Sequence, residues 1–179
     1  INLFLELEHQ NNIEKLLTSE PFEWHYNLST VSGVEKTDEK EYDTSQFTHL
    51  FYFEDEIKTS IDNLNVIKPL LDKLEIKKIF KIKANLLTPH PDPKHYHLPH
   101  WDIDELGHTT LLYYVNDSDG DTILFDNLAN DKELDNLSII HKETPVKGNA
   151  LKFNSDRFHA SNNPVNYQSR IVLNIVYKE

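Results

Sequence analysis

The spacing of apolar positions changes near residue 76 of this 179-residue chain. Before it, Ile61, Leu64, Ile67, Leu70, Leu71 and Leu74 recur at steps of three and four, the period of one helix face. Pro69 falls inside that face and predicts a kink, or the first turn of a second helix. Residues 3–17 (LFLELEHQNNIEKLL) suit a strand followed by a short helix. PFEWHYNLSTV (21–31) and FTHLFYF (47–53) are aromatic and β-branched enough to predict strands. Between them, residues 32–46 read as a polar loop.

From residue 76 the period shortens to two. IKKIFKIKANLLT (76–88) alternates apolar residues with lysine and reads as a strand with one wet face. Short apolar runs then follow at 109–116, 121–126, 137–143, 150–154 and 170–177, separated by turn-rich pieces. In RIVLNIVY, Arg170, Val172, Asn174 and Val176 share one face, and Ile171, Leu173, Ile175 and Tyr177 the other, so both faces are covered. The pattern predicts a mainly β, α+β chain in a single domain, 1–179. Residues 80–179 would form a small sandwich or jelly roll, and residues 1–79 a strand-and-helix buttress outside one sheet.

Composition narrows the function. The net charge is −12, with thirteen Asp/Glu against four Lys in residues 1–60, which repels a nucleic-acid backbone. The acidic half reads as a solvated surface. The chain has no cysteine, which removes disulfides, thiolate metal sites and cysteine nucleophiles. No apolar run reaches the roughly 20 residues of a membrane helix, and no signal peptide opens the sequence, so no membrane partner and a cytoplasmic location are expected. The chain begins at Ile1, which suggests a trimmed N-terminus.

The chemistry concentrates in HPDPKHYHLPHWDIDELGH (90–108), which holds five of the ten histidines. His-x-Asp occurs twice, at His90/Asp92 and His100/Asp102. On a strand, residues two apart share a face, so His100 and Asp102 would project inward together while Trp101 packs outward. An iron site of two histidines and one carboxylate needs a second histidine. Downstream of residue 108 only His141 and His159 remain, and His159 follows a strand that brings it back to the first pair. The rival triplet sits among three prolines, which break strands. His95 and His97 read as neighbours of the site, with His97 a candidate to face substrate. His108 reads as a turn cap and His141 as a solvated strand residue. Arg170 opens an otherwise apolar strand with no nearby acid. A buried guanidinium needs a partner, and the carboxylate of a ligand would serve.

In order, HLPHWD, TTLLYYVN, GDTILFD, VKGNALKFN, FHA and RIVLN resemble the iron(II)- and 2-oxoglutarate-dependent dioxygenases, in their prolyl 4-hydroxylase-like branch. The resemblance covers residues 80–179 and implies a double-stranded β-helix. It implies His100, Asp102 and His159 as iron ligands, and Arg170 as the clamp on the distal carboxylate of 2-oxoglutarate, joined by the Tyr114 hydroxyl. Thr110 and Leu112 would line the cosubstrate pocket, and Asn85 matches an asparagine on the strand before the triad. The implied cofactors are Fe(II), 2-oxoglutarate and O2, with ascorbate as a reductant. The implied reaction is hydroxylation of a C–H bond coupled to decarboxylation of 2-oxoglutarate to succinate. An aspartate at the ligand position favours hydroxylation over the halogenation of related enzymes.

The chain departs from the family at three places. Gly120-Asp121 stands for a usual Gly-Gly, His97 for a tyrosine three residues before the first ligand, and Leu86 for a tyrosine after the matched asparagine. These positions bear on substrate, which is either a prolyl residue of a peptide or a free small molecule. Two other readings compete: a cupin-like barrel that binds a metal and a ligand without oxidising it, and a nucleic-acid demethylase, which the charge opposes.

Overall fold

The computed structural model describes residues 5–31, 43–91, 96–131 and 137–179. Two helices come early: α1 (Leu7–Thr18) and α2 (Ile61–Leu71). Around them lie three strands, β1 (His25–Asn27), β2 (Gln46–Phe53) and β3 (Glu56–Ile57). Then follow β4 (Lys78–Leu87), β5 (Thr109–Tyr114), β6 (Thr122–Leu128), β7 (Ile139–Glu143), β8 (Ala150–Asn154), β9 (Arg157–Ser161) and β10 (Arg170–Lys178). Among the described residues the strands form two antiparallel sheets. The larger runs β1-β2-β4-β10-β5-β8, with β3 off β2, and the smaller runs β7-β6-β9. Two facing antiparallel sheets with crossing connections make a jelly roll. Among the described residues no helix is long and apolar enough to cross a membrane.

The larger sheet is covered on its outer face by the helices. Ile13 and Leu17 of α1 and Ile67 and Leu70 of α2 pack against Ile82, Ala84, Leu111, Tyr113, Leu173, Ile175 and Tyr177 in one core. The odd-numbered half of β10 therefore faces the helices, as its alternation predicts, and Arg170, Val172, Asn174 and Val176 face the second sheet. The register Val172↔Tyr114, Asn174↔Leu112 and Val176↔Thr110 sets Tyr114, Leu112 and Thr110 on that same inner face. Small clusters between and behind the sheets, such as Leu112 with Leu124 and Phe153, close the barrel.

Four local expectations need correction. The expected strand over 21–31 contracts to His25–Asn27. Helix α2 runs through Pro69 to Leu71 with no second helix. With two residues left to turn, the missing N–H forfeits one bond, while fully buried Leu70 holds the turn down. Residues 100–102 do not form a strand: His100 makes one isolated bridge to His159. Last, the lysine face of β4 is not wet. Ile82 and Ala84 take the helix-covered side, so Lys81 and Lys83 point between the sheets.

Candidate active site

His159 sits on β9, held by the pairing Leu124↔His159 with β6. The His100 amide donates to the His159 carbonyl at 2.9 Å and the His159 amide returns a bond at 2.8 Å. That reciprocal bridge locks the two histidines side by side, with ring centroids 4.4 Å apart. The Asp102 and Ile103 amides both donate to the Ser155 carbonyl, at 3.0 and 3.2 Å, which turns the chain so that Asp102 faces the histidines. A backbone turn, rather than strand alternation, puts His100 and Asp102 on one side.

Hydrogen bonds fix the tautomers. His100 Nδ1 lies 3.2 Å from the Leu98 carbonyl, and His159 Nδ1 lies 3.1 Å from the Arg157 carbonyl. A carbonyl only accepts, so each Nδ1 carries the proton and each Nε2 presents a lone pair. Burial, and then His159, lower the His100 pKa to about 3, and burial lowers that of His159. Both imidazoles are neutral at physiological pH, the form that binds metal.

Asp102 is held on every side. Lys81 Nζ donates to its Oδ1 at 2.5 Å, Thr110 Oγ1 to its Oδ2 at 2.9 Å, and Asn174 Nδ2 to Oδ1 at 3.2 Å. Burial alone would raise its pKa, but Lys81 and the two histidines override that and hold it far below the carboxylate range. Oδ1 is turned to Lys81, and Oδ2 stands 3.8 Å from His159 Nε2. Two adjacent ligands with bonds of about 2.1 Å would stand roughly 3 Å apart. Among the described residues no three His, Asp or Glu side chains are already closed around one ion. To share one ion, Asp102 Oδ2 and His159 Nε2 would have to approach from 3.8 Å to roughly 3 Å. Two neutral imidazoles offering Nε2 and one ionised carboxylate are the donor set for a non-haem iron.

A pocket opens beside His100 and His159, lined also by Gln46, Asn85, Leu87, Leu112, Val172, Asn174 and Arg170. Arg170 is 3% exposed. Its Nε donates to the Gly120 carbonyl at 2.7 Å and its Nη2 to Thr122 Oγ1 at 2.6 Å. Among the described residues no carboxylate ion-pairs with it. Burial lowers its pKa, and the nearest acid exerting a field, Asp121, is itself paired to Lys142 at 2.6 Å. These two bonds leave Nη1 without a partner among the described residues, and Arg170 lines the pocket, so its guanidinium has donors to offer a carboxylate. Gly120 makes this possible: a Cβ there would lie 2.5 Å from the Asn162 carbonyl oxygen and 3.0 Å from Arg170 Cδ.

Tyr114 is fully buried, and its hydroxyl donates to Thr122 Oγ1 at 2.9 Å, the oxygen that also accepts from Arg170. Burial raises its pKa to about 12. In this structure Tyr114 steadies the arginine through Thr122. Asn85 donates to Gln46 Oε1 at 2.9 Å and leaves its own buried Oδ1 unbonded. Leu112 lines the pocket, whereas Thr110 serves Asp102.

The other histidines separate clearly. His97 is buried among Thr44, Ser161 and Asn163, whose Oδ1 lies 2.7 Å from its Nε2, and burial lowers its pKa to about 4. His108 Nδ1 caps the Glu105 carbonyl at 2.9 Å with its ring edge-on to Phe80. His141 is exposed, 3.0 Å from Glu143. His90 is tied to the Pro164 carbonyl by its amide. Its would-be partner Asp92, with His95, lies outside the described residues, as does much of the 32–46 loop. Trp101 packs outward on Phe158, centroids 4.9 Å apart.

Sequence reasoning missed Thr122, Lys81 and Lys83, and noted Gly120 only as part of a departure from the family's Gly-Gly. The lysines carried a signal, since they share the period of Asn85, already matched to the site. Lys83 makes no hydrogen bond or ion pair with any described residue, and burial and Lys81 lower its pKa to about 8.

No family model and no curated protein matches the chain. Solved structures do match. An oxidoreductase of the 2OG-Fe(II) oxygenase family from Burkholderia pseudomallei superposes with a TM-score of 0.63 at 10% identity, over 98% of this chain and 81% of that one. The non-heme alpha-ketoglutarate-dependent epimerase SnoN from nogalamycin biosynthesis gives 0.59 at 13%, over 99% and 76%. A Trichoplax adhaerens prolyl hydroxylase, in complex with a hypoxia-inducible factor peptide fragment, gives 0.57 at 16%, over 99% and 81%. The chain has the jelly-roll fold shared by the iron(II)- and 2-oxoglutarate-dependent oxygenases.

Proposed function

We propose that the chain is an Fe(II)- and 2-oxoglutarate-dependent dioxygenase that hydroxylates a C–H bond while 2-oxoglutarate is decarboxylated to succinate. One observation carries the reading. The buried guanidinium of Arg170, with no carboxylate partner among the described residues, lines the same pocket as His100 and His159, and Asp102 stands behind that wall on Asn174. A non-oxidising metal-binding barrel accounts for the trio and leaves the arginine unexplained.

His100, Asp102 and His159 would hold the iron, offering Nε2, Oδ2 and Nε2. Bound iron supplies the redox chemistry that couples loss of CO2 from the oxoacid to C–H oxidation. The protein supplies orientation. Lys81, Thr110 and Asn174 keep the Asp102 carboxylate ionised and turned toward the histidines. Carbonyls 98 and 157 hold both imidazoles in one tautomer. Thr122 and Gly120 aim the open edge of Arg170 at the distal carboxylate of the cosubstrate. Leu87, Leu112 and Val172 exclude water along its length.

The substrate is an organic molecule with an activatable C–H bond. The Trichoplax enzyme, solved with a peptide, supports a peptidyl-prolyl substrate, and SnoN supports a free small molecule. Equilibrium binding of 2-oxoglutarate to the Mn(II)-loaded protein tests the clamp. Wild type should bind saturably, and Arg170→Ala at least tenfold more weakly, since a charge-assisted pair contributes about 1.5–3 kcal/mol. Equal affinity would show the arginine to be structural.

A further inference from the structure

The proposed chemistry leaves Lys83 without a task. It lies on the inner face of β4, between Lys81 and Asn85, directly across from Asn174 of β10. Asn174 lines the pocket and donates to Asp102, so Lys83 stands beside that stretch of the pocket wall, and its charge is felt by His100 and His159. The ammonium is drawn partly out of water without a hydrogen bond or ion pair from any described residue, a costly arrangement.

Charge on this inner face is lopsided. Lys81, Lys83 and Arg170 are cationic and, among the described residues, Asp102 is the one carboxylate that pairs with any of them, in a chain whose net charge is −12. Asp121 answers Lys142 instead. A divalent iron and a dianionic cosubstrate cancel each other and leave the excess in place. Arg170 lies four residues from Asn174 along β10, about 13 Å at 3.3 Å per residue, so Lys83 does not share the carboxylate that Arg170 holds. The cosubstrate's other carboxylate has the metal to neutralise it.

We propose that the Lys83 ammonium, backed by Lys81, is a binding subsite for a carboxylate of the primary substrate, and that the enzyme therefore acts on an acid. This rests on the reading of the site given above. A lysine recognises an anion as a point charge, without the planar match an arginine demands. The carboxylate comes from a free acid or from an acidic side chain.

The test uses protein loaded with Zn(II) and saturated with N-oxalylglycine, an unreactive 2-oxoglutarate analogue, with binding read by ligand-observed NMR. The probes are the free L-amino acids, their C-terminal amides, and straight-chain mono- and dicarboxylic acids with their amides. At least one acid should bind, and lose at least tenfold in affinity on amidation and again in Lys83→Met. Lys83→Arg should keep the binding within about threefold, because charge is what it supplies. If the aspartate or glutamate amide binds as well as the free acid, the carboxylate is a side chain's. N-oxalylglycine affinity should be unchanged in Lys83→Met, and that variant should melt at or above the wild-type temperature, having lost an unpaired buried charge. Equal binding of acid and amide where amidation removes the only carboxylate, no binding by any acid, undiminished binding in Lys83→Met, weaker N-oxalylglycine in Lys83→Met, or a lower melting temperature would each overturn the subsite. N-oxalylglycine failing to bind metal-loaded wild type would instead contradict the function proposed above.

Discussion

At the scale of single residues, the site depends on atoms that never touch a ligand. Gly120 is the sharpest case. Gly120→Ala places a methyl 3.0 Å from Arg170 Cδ and 2.5 Å from a backbone oxygen. It should weaken 2-oxoglutarate binding severalfold and cost about 1–3 kcal/mol of stability, read by titration and denaturant melts. His97 gives a pH signature. Its pKa is lowered by burial from 6.5 to about 4, so the unfolded chain binds its proton first as pH falls. Its neutral form therefore supports the fold fully above pH 6.5, and that support fades as pH drops toward 4. Between pH 7 and pH 5 this amounts to about 2 kcal/mol. The wild type should lose that much more stability over the interval than His97→Gln, and parallel pH profiles would contradict it. Arg170 was legible in the sequence because a cation in an apolar strand has one physical excuse. Lys83 was not, because a lysine alternating with isoleucine has two, and only the helices packed over Ile82 and Ala84 choose between them.

Elements carry the second level. The alternation of β10 and the heptad-like face of α2 could be read directly, since each is long enough for its period to declare itself. The β9 strand was missed: Arg157–Ser161 is five residues between polar turns, and His159 occupies one of its inward positions. The path of 100–102 was misread for the opposite reason, since a turn held by the Ser155 carbonyl gave the two-residue spacing expected of a strand. Helix α1 is joined to the sheet by the turn before β8. Lys147 Nζ donates to Asn11 Oδ1 at 2.7 Å and to Glu14 Oε2 at 2.5 Å. Gly148, at φ +81°, leaves no room for a Cβ, which would lie 2.3 Å from the Gln10 side chain. Gly148→Ala should cost about 2 kcal/mol, from a left-handed backbone plus displacement of Gln10. An unchanged denaturation midpoint would show that the α1 contact does not support the sheet.

For the whole molecule, the two sheets do one thing: they set the ends of a pocket. The larger sheet supplies Arg170, Asn174, Lys81 and Lys83, and the smaller supplies His159 and Thr122, with His100 and Asp102 on the segment between. On the proposed reading, a net-acidic chain with a cationic inner face would hold at the site an anion that enters it. The fold class followed from the sequence because its second half is written in period two. The pocket's polarity did not, because it depends on which faces the helices take. The most direct test is succinate release from 2-oxoglutarate with Fe(II) and O2, in wild type and in His100→Ala, His159→Ala and His90→Ala. Wild type and His90→Ala should release succinate, and the other two should fall to background. No succinate from wild type, or its loss in His90→Ala with retention in His100→Ala, would contradict the account.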